Sequence, residues 1–142
     1  MAFVSITRLR VRSWLYLPMF ALYALKSARE AARADGNLTT QLLRDRHNTF
    51  WTGTVWTSDA AMKRFMLAGA HRKAMNKLSH WCDEAALVHW TQERAELSTW
   101  QEAWTRLQCE GRPSKVTHPS PTHIAHRFPE PRVRPVDGLR FK

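Results

Sequence analysis

The period of the hydrophobic pattern changes several times along the chain. Alternation of apolar and polar residues, which is typical of strands, predicts strands over residues 2–12, 38–44, 49–57 and 84–91. Apolar residues three or four positions apart predict helices over residues 15–34, 60–68, 70–81 and 99–110, with Gly69 interrupting the second helical region. The predicted order is β-α-β-β-α-β followed by an extra C-terminal helix. That order indicates an α+β fold with a ferredoxin-like core, in which the helices cover one face of an antiparallel sheet.

Small polar residues mark the ends of these elements. Ser13, Ser58 and Ser98 precede helical patterns and are predicted N-caps, because a serine hydroxyl accepts from a free N–H of the first turn. The turn at residues 35–37 contains glycine and predicts the stop of the first helix. Residues 45–48 are polar and predict a hairpin between the second and third strands.

Large apolar side chains occur on both faces of the predicted sheet. Within residues 49–57, Phe50 and Trp56 share one face, while Trp51 and Val55 share the other. The helices are expected to cover only one face, so the other would be exposed to water in a monomer. The pattern therefore predicts that a second copy of the chain covers it, giving a two-fold symmetric homodimer with a barrel-like interior.

Basic residues exceed acidic residues, most strongly near the C-terminal end. The 22 lysines and arginines against 12 acidic residues give a net charge of +10. Six of the seven prolines lie in residues 111–142, and proline is excluded from long helices and central strands. We therefore divide the chain into a folded domain, residues 1–110, and an extended basic arm, residues 111–142. The arm has no compact basic run interleaved with aromatics, so we expect it to wrap its own domain or a twin subunit and predict no nucleic-acid partner.

Residues 14–25 form an apolar run that follows three arginines and superficially resembles a signal peptide. The run is shorter than the roughly 20 residues that cross a bilayer. It also continues into a helical pattern without a cleavage region. We expect a cytoplasmic protein with no membrane partner, in which Cys82 and Cys109 are reduced structural thiols.

Two histidines are candidates for catalysis. His71 follows Gly69, where the helical pattern restarts, and His89 shares a strand face with Leu87. A neutral imidazole facing an enclosed space acts as a base or as a hydrogen-bond donor. The alternative for each is a structural histidine that satisfies a buried polar group, which is the commoner role. The catalytic interpretation requires both rings to face one cavity of roughly 300 Å³ or more.

Five aromatic residues are candidates to line an apolar pocket for a flat ligand, namely Phe50, Trp51, Trp56, Phe65 and Trp90. Packing of the core or of a dimer contact explains them equally well.

Arg8, Arg10 and Arg12 occupy every second position of the first predicted strand, which places them on one face. Arg8 is our candidate to meet a carboxylate or phosphate of a ligand. Pairing with acids of a partner and a solvated edge are the alternatives, and a solvated edge is the commonest of the three.

Motifs for metal and nucleotide cofactors do not occur. Cys82 and Cys109 form no Cys-x-x-Cys pair, and no glycine-rich phosphate loop or nucleophile elbow is present. We predict no metal site and no cofactor.

The similarity to a known family rests on residues 4–14, 50–56, 60–75, 81–85 and 88–90. They include a tryptophan that ends the third strand, a helix rich in Met and Phe, and a Gly-Ala-His segment that opens its second part. On these stretches, residues 2–110 resemble the dimeric α/β-barrel superfamily that includes antibiotic-biosynthesis monooxygenases. The closest likeness within it is to a bacterial family of unknown function.

The resemblance implies a dimeric α/β barrel and a small apolar or aromatic ligand. It does not imply one reaction, because the superfamily includes cofactor-free oxygenases, haem-degrading enzymes, isomerases and binding proteins. Haem is disfavoured, since Met75 stands where those enzymes place an axial histidine and the first strand offers Ser5 and Thr7 but no asparagine. We expect a monooxygenase-like protein that oxidises or isomerises a small aromatic substrate without a cofactor. The alternative is a non-catalytic dimeric module for binding or interaction.

Overall fold

The structure is a computed structural model, which describes the side chains of residues 1–68 and 71–142 and the secondary structure along the chain. Its strands are β1 (Ala2–Val11), β2 (Asn37–Asp45), β3 (Thr49–Trp56), β4 (Cys82–Gln92), β5 (Arg112–Pro113) and β6 (Gly138–Arg140). Its helices are α1 (Leu17–Arg33), α2 (Asp59–Met66), α3 (Gly69–Trp81), α4 (Trp100–Glu110) and α5 (Pro121–Ala125). The helical region is interrupted at residues 67–68, between the end of α2 and the start of α3, one position before the predicted Gly69.

All six strands form one antiparallel sheet in the order β5-β4-β1-β3-β2-β6. The four inner strands are the predicted ones, and their order β4-β1-β3-β2 follows the ferredoxin-like connection of hairpin and crossovers. The predicted α+β class and ferredoxin-like core are therefore confirmed. The two short outer strands were not predicted.

Local chemistry explains most element boundaries. The Ser58 hydroxyl accepts from the backbone N–H of Ala61, as expected of an N-cap. Ser13 caps a 3-10 turn at Trp14–Tyr16 that precedes α1, rather than α1 itself. The prediction for Ser98 was wrong, because the cap of α4 is the adjacent Thr99, whose hydroxyl accepts from the N–H of Glu102.

The β2–β3 hairpin turns through two residues with left-handed backbone, His47 with φ 58° and Asn48 with φ 59°. Two successive positive φ values match the twist that a short antiparallel hairpin needs, and asparagine and histidine tolerate this conformation better than most side chains. The turn therefore holds Asp45, Arg46 and Thr49 close together at one end of the sheet.

Helices α1, α2 and α3 cover one face of the sheet, which we call the helix side. Apolar residues on that face form two separate clusters, one around Trp56 with Ala61 and Met62, the other around Phe20 with Cys82.

The opposite face, which we call the α4 side, is covered by the same chain. Val4, Trp51 and Val55 are each 0% exposed there, packed with α4 and with Phe128 of the C-terminal arm. The argument that this face needs a second copy is therefore wrong, because the extra helix and the arm provide the cover. A homodimer requires a different surface.

The C-terminal arm, residues 111–142, runs along the domain and adds β5 and β6 to the two edges of the sheet. Backbone and side-chain bonds anchor it: the N–H of Ala85 donates to Nδ1 of His123 over 3.2 Å, and the indole of Trp104 donates to the carbonyl of Phe128 over 2.8 Å. Its helical and strand segments are short, in keeping with its prolines.

Candidate functional site

The structure divides the sequence-predicted site residues between the two faces of the sheet. Phe50, Trp56 and Phe65 pack on the helix side, where His71 and His89 also lie. Arg8, Trp51 and Trp90 lie on the α4 side. The side chains thus do not line one common pocket.

The centre of the helix side is polar. Ser5 pairs with Thr54, and Thr7 pairs with Thr52, between the two apolar clusters. We call these four residues the polar strip. Three of them are only half-buried although the helices lie over this face, whereas Thr54 is buried and accepts from the Trp56 indole over 2.9 Å. In the described part of the chain the other three hydroxyls have no hydrogen-bond partner, so they are free to bind a ligand.

His89 lies beside the polar strip, opposite Ser5 on the neighbouring strand. Its ring centroid is 5.2 Å from that of Phe3. Burial lowers the pKa of His89, and the positive charges of Arg112 and Lys63 lower it further against the opposing effect of Asp59. His89 is therefore a neutral imidazole at pH 7, the form that accepts a proton.

His71 lies at a second place on the helix side. Its Nδ1 is 3.2 Å from the Ser27 hydroxyl, and its ring centroid is 4.9 Å from that of Phe65. Burial lowers its pKa, with Glu30 opposing. The cavity at His71 is about 20 Å³, which is room for a water molecule but not for a substrate. His89 does not line it, so the condition that both histidines share a large cavity is not met in the described residues.

The two tryptophans of the α4 side serve the core. The Trp51 indole donates to Asp45 Oδ2 over 3.1 Å, and the Trp90 indole donates to Gln92 Oε1 over the same distance. Both rings are buried, and the Arg106 guanidinium lies 4.6 Å from the Trp90 ring. This packing agrees with the alternative that these two aromatics belong to the core and do not line a ligand pocket.

Arg8 lies in a different setting from the solvated edge that we named as its commonest role. It is 3% exposed and donates to Glu84 Oε1 over 2.6 Å. Arg10 donates to Glu84 Oε2 over 2.9 Å, and the Ser120 hydroxyl donates to the same oxygen over 2.8 Å. Arg12 does not join them, because β1 ends at Val11 after a register shift and Arg12 instead meets the His80 carbonyl.

A cavity of about 230 Å³ adjoins this ion-paired cluster, and we call it the arginine cavity. Its lining combines β1, β4, the β2–β3 turn and the C-terminal arm: Arg8, Arg10, Asp45, Arg46, His47, Thr49, Glu84, Thr122 and Pro129. Sequence reasoning missed most of these residues. The sequence did contain one indication of this cluster. Glu84 is an acidic residue at the start of an otherwise apolar strand, and the alternation of the strand places its side chain on a buried face, where a carboxylate needs a partner.

Comparison with known proteins identifies the family of the chain. Residues 27–126 match the family described as Domain of unknown function (DUF3291). The chain belongs to this family. No curated protein matches it.

Solved structures show the same fold for this DUF3291 chain. SnoaB from Streptomyces nogalater, described as a cofactor-independent oxygenase, is 20% identical with a TM-score of 0.56, over 66% of this chain and 94% of SnoaB. A proposed antibiotic biosynthesis monooxygenase from Deinococcus radiodurans is 16% identical with a TM-score of 0.59, over 70% of this chain and 99% of that protein. A second such protein, from Nitrosomonas europaea, is 13% identical with a TM-score of 0.58, over 64% and 89%. The expected resemblance to the monooxygenase superfamily is confirmed at the level of the fold.

Two further observations concern the described residues alone. None of their helices is both long and apolar enough to cross a membrane. They also contain no cluster of three or more metal-ligating side chains.

Proposed function

We propose that the protein is a monooxygenase-like enzyme that oxidises or isomerises a small aromatic substrate, without a cofactor, at the polar strip. The observation that carries this proposal is the half-open polar centre of the helix side, where Ser5, Thr7 and Thr52 offer unpartnered hydroxyls beside a neutral His89. Apolar clusters flank the strip at both ends and would hold the rings of an aromatic substrate. SnoaB, which shares this fold, is described as a cofactor-independent oxygenase.

This reaction requires only a proton acceptor and hydrogen-bond donors from the protein. His89 accepts a proton from an acidic C–H or O–H of the substrate, and the hydroxyls of the strip hold the oxygen that gains negative charge. The resulting carbanion is oxidised by dioxygen itself. For a methylene group between aromatic rings, the balanced reaction with one O₂ gives a ketone and one water molecule. The flanking aromatics, Phe50, Trp56 and Phe65, would keep bulk water away from the carbanion.

His71 has a supporting role in this proposal. It contacts Phe65, which packs on Trp56 with ring centroids 5.4 Å apart, and it therefore helps to set the wall at one end of the strip. We expect its removal to weaken substrate affinity while the proton-accepting group at His89 remains.

The test is oxygen uptake by the purified protein with a panel of quinols, phenols and aromatic ketones, recorded together with absorbance spectra and in the presence of a chelator. We expect uptake with at least one compound and its loss in His89→Ala. His118→Ala is the matched control, because His118 is exposed in the arm. Uptake that needs an added metal or haem, or that survives in His89→Ala, would contradict the proposal.

A non-catalytic binding module is the second candidate function. It is favoured by the observation that His71 and His89 do not line a common cavity of substrate size in the described residues. Silence of the whole panel in oxygen uptake, together with saturable quenching of tryptophan fluorescence by the same compounds, would establish binding without turnover.

We propose in addition that the protein is a cytoplasmic homodimer that associates through the start of α1 and the 3-10 turn before it. Trp14 and Leu15 of that turn and Met19 and Leu22 of α1 form an exposed apolar stripe, with side chains 72%, 65%, 47% and 60% exposed. Contact with a second copy would remove this stripe from water. The exposed free thiol of Cys109 fits a reducing compartment.

Light scattering tests the dimer. We expect twice the mass of one chain at micromolar concentration, and one chain mass for a Trp14→Ser, Leu22→Ser double variant. Leu67→Ser is the control, because Leu67 is 70% exposed but lies outside the stripe. A single-chain mass for the unaltered protein would refute the dimer without bearing on the reaction.

A further inference from the structure

We propose that the arginine cavity is a binding site for a small oxyanion, either a carboxylate or a phosphate group. This site is separate from the polar strip, because it lies on the α4 side of the sheet, and it goes beyond the function proposed above.

Two arginines beside the cavity share one buried carboxylate. Glu84, 1% exposed, provides one negative charge to two guanidinium groups, those of Arg8 and Arg10. Burial alone would raise the pKa of Glu84, but hydrogen bonds from Arg8 and Ser120 and the charge of Arg8 hold it below its usual value, so this carboxylate is ionised. Arg10 is 39% exposed and also lies 3.9 Å from Asp83 Oδ1, so only Arg8 depends wholly on the shared Glu84. The lining of the cavity carries the three arginines Arg8, Arg10 and Arg46 against the two carboxylates Asp45 and Glu84, a balance that favours an anion there.

Arg8 has unused hydrogen-bonding capacity. A guanidinium carries five N–H donors, and in the described contacts that of Arg8 meets a single acceptor, Glu84 Oε1. The Nε of Arg8 is buried without a hydrogen-bond partner, whereas that of Arg10 faces Asp83 Oδ1 over 3.9 Å. Aromatic rings meet the guanidinium of Arg8, with its Cζ 4.5 Å from the Phe128 ring centroid and 5.9 Å from that of Trp51. Such contacts hold the group in place while its edge remains available to a carboxylate or phosphate.

The mouth of the cavity carries a further arginine and a histidine. Arg46 and His47 project from the β2–β3 turn and line the cavity. Arg46 is half-exposed, and its Nε is 4.0 Å from Asp45 Oδ1, so this pair is loose. Asp45 itself is occupied, because it accepts from Trp51 and from the backbone N–H groups of Arg46 and Arg132. Arg46 also donates to the Glu130 carbonyl over 3.4 Å, a long contact, so its guanidinium is available to turn toward a bound anion.

The size of the cavity limits the ligand. Its 230 Å³ is below the roughly 300–1,000 Å³ of sites for drug-sized molecules. The occupant is therefore inorganic phosphate, a short organic acid, or the acidic end of a longer molecule. The C-terminal arm forms one wall through Thr122 and Pro129, so the site exists only when the arm is docked.

Isothermal titration calorimetry with sodium phosphate and, separately, with sodium succinate tests the proposal, with sodium chloride as the reference salt. We expect saturable one-to-one binding of at least one of the two oxyanions. Phosphate alone would identify a phosphoryl ligand, and succinate alone a carboxylate ligand. Saturation by neither, in a protein with the circular dichroism of the folded state, would overturn the proposal.

A matched pair of variants separates the site from general attraction to a protein of charge +10. Arg46→Gln removes one charge at the cavity mouth, and Arg44→Gln removes one charge two residues away, on an exposed side chain that does not line the cavity. We expect about fivefold weaker binding for Arg46→Gln, the loss of one charge-assisted hydrogen bond, and unchanged binding for Arg44→Gln. Equal weakening by both would mean nonspecific attraction and would refute the site.

Two more variants complete the design. Arg8→Lys keeps the charge but loses the planar fork, and we expect it to abolish saturable binding. Should it fail to fold, Arg46→Gln still decides the outcome. His89→Ala should bind the oxyanion normally, so failure of this proposal and failure of the proposed reaction are distinguishable.

Discussion

Replacement of Glu84 by glutamine is the sharpest test of how this fold is stabilised. The substitution keeps the shape of the side chain and removes its charge. The carboxylate accepts from Arg8, Arg10 and Ser120 at 2.6–2.9 Å, whereas an amide nitrogen donates where one of those oxygens accepted. At least one arginine would lose its acceptor within a buried cluster.

The expected cost follows from that geometry. Removing one partner of a buried ion pair costs about 3–5 kcal/mol, because a buried charge remains without compensation. For a chain of 142 residues, each kcal/mol shifts Tm by about 3 °C, so we expect Tm to fall by about 10 °C or more. Urea denaturation followed by circular dichroism measures the same loss at constant temperature.

The pH dependence gives an independent check. The pKa of Glu84 is lower in the folded protein than in the unfolded chain, where it is about 4.3. Its stabilising contribution is therefore complete above about pH 4.3 and is lost as the pH falls through the lower folded value. The difference in free energy of unfolding between the unaltered protein and Glu84→Gln should be constant from pH 7 to about pH 5 and should shrink in more acidic solution.

Glu102→Gln is the control, because Glu102 makes a comparable contact with Arg106 at 3.3 Å on an exposed helix surface. We expect a loss below about 0.5 kcal/mol for that pair. If Glu84→Gln costs less than about 1 kcal/mol, or costs the same at every pH, the account of Glu84 as the buried, ionised centre of this cluster is incorrect.

Four other changes test separate parts of the structure. Phe128→Ala, at a position 4% exposed, should cost about 3–5 kcal/mol in urea denaturation, because it opens a cavity under the arm; a cost below about 1 kcal/mol would mean that the arm does not cover the sheet. Burial raises the pKa of Cys82 to about 12, so an aromatic disulfide reagent at pH 8 should label Cys109 alone until urea is added, and labelling of two thiols in the folded protein would contradict the packing. An NMR titration of His89 should give a pKa below about 6.5; its stabilising contribution is then present above that pH and is lost as the pH falls through the folded value, and a pKa at or above about 6.5 would contradict the dominant effect of burial on this ring. Gly36→Ala should cost about 1–3 kcal/mol in thermal unfolding, since φ is 87° and an added Cβ would lie 2.6 Å from a neighbouring side chain, and an unchanged Tm would place the turn in another conformation.

The candidate sites could be anticipated only in part. The alternation of Arg8 and Arg10 placed both on one face of β1, and a ligand carboxylate or phosphate followed as one alternative. The acceptor that decides between the alternatives is Glu84, 76 positions away from Arg8 along the chain. Spacing within one strand carries no information about which strand lies beside it, so the cluster and its cavity were beyond local reasoning.

The sequence by itself determined the kind and order of the main elements. The period of the apolar pattern, the caps and the glycine turn act over three to five residues, and the resulting strands and helices agree with the structure to within a few positions. The tertiary structure alone decided what covers the second face of the sheet. The stripe of Ala103 and Leu107 shows that α4 buries one side, but whether it packs on its own sheet depends on contacts between distant segments. Because burial depends on such distant contacts, the faces of the strands do not tell whether a second copy or the same chain covers the sheet. In the structure α4 and the C-terminal arm of the same chain cover it.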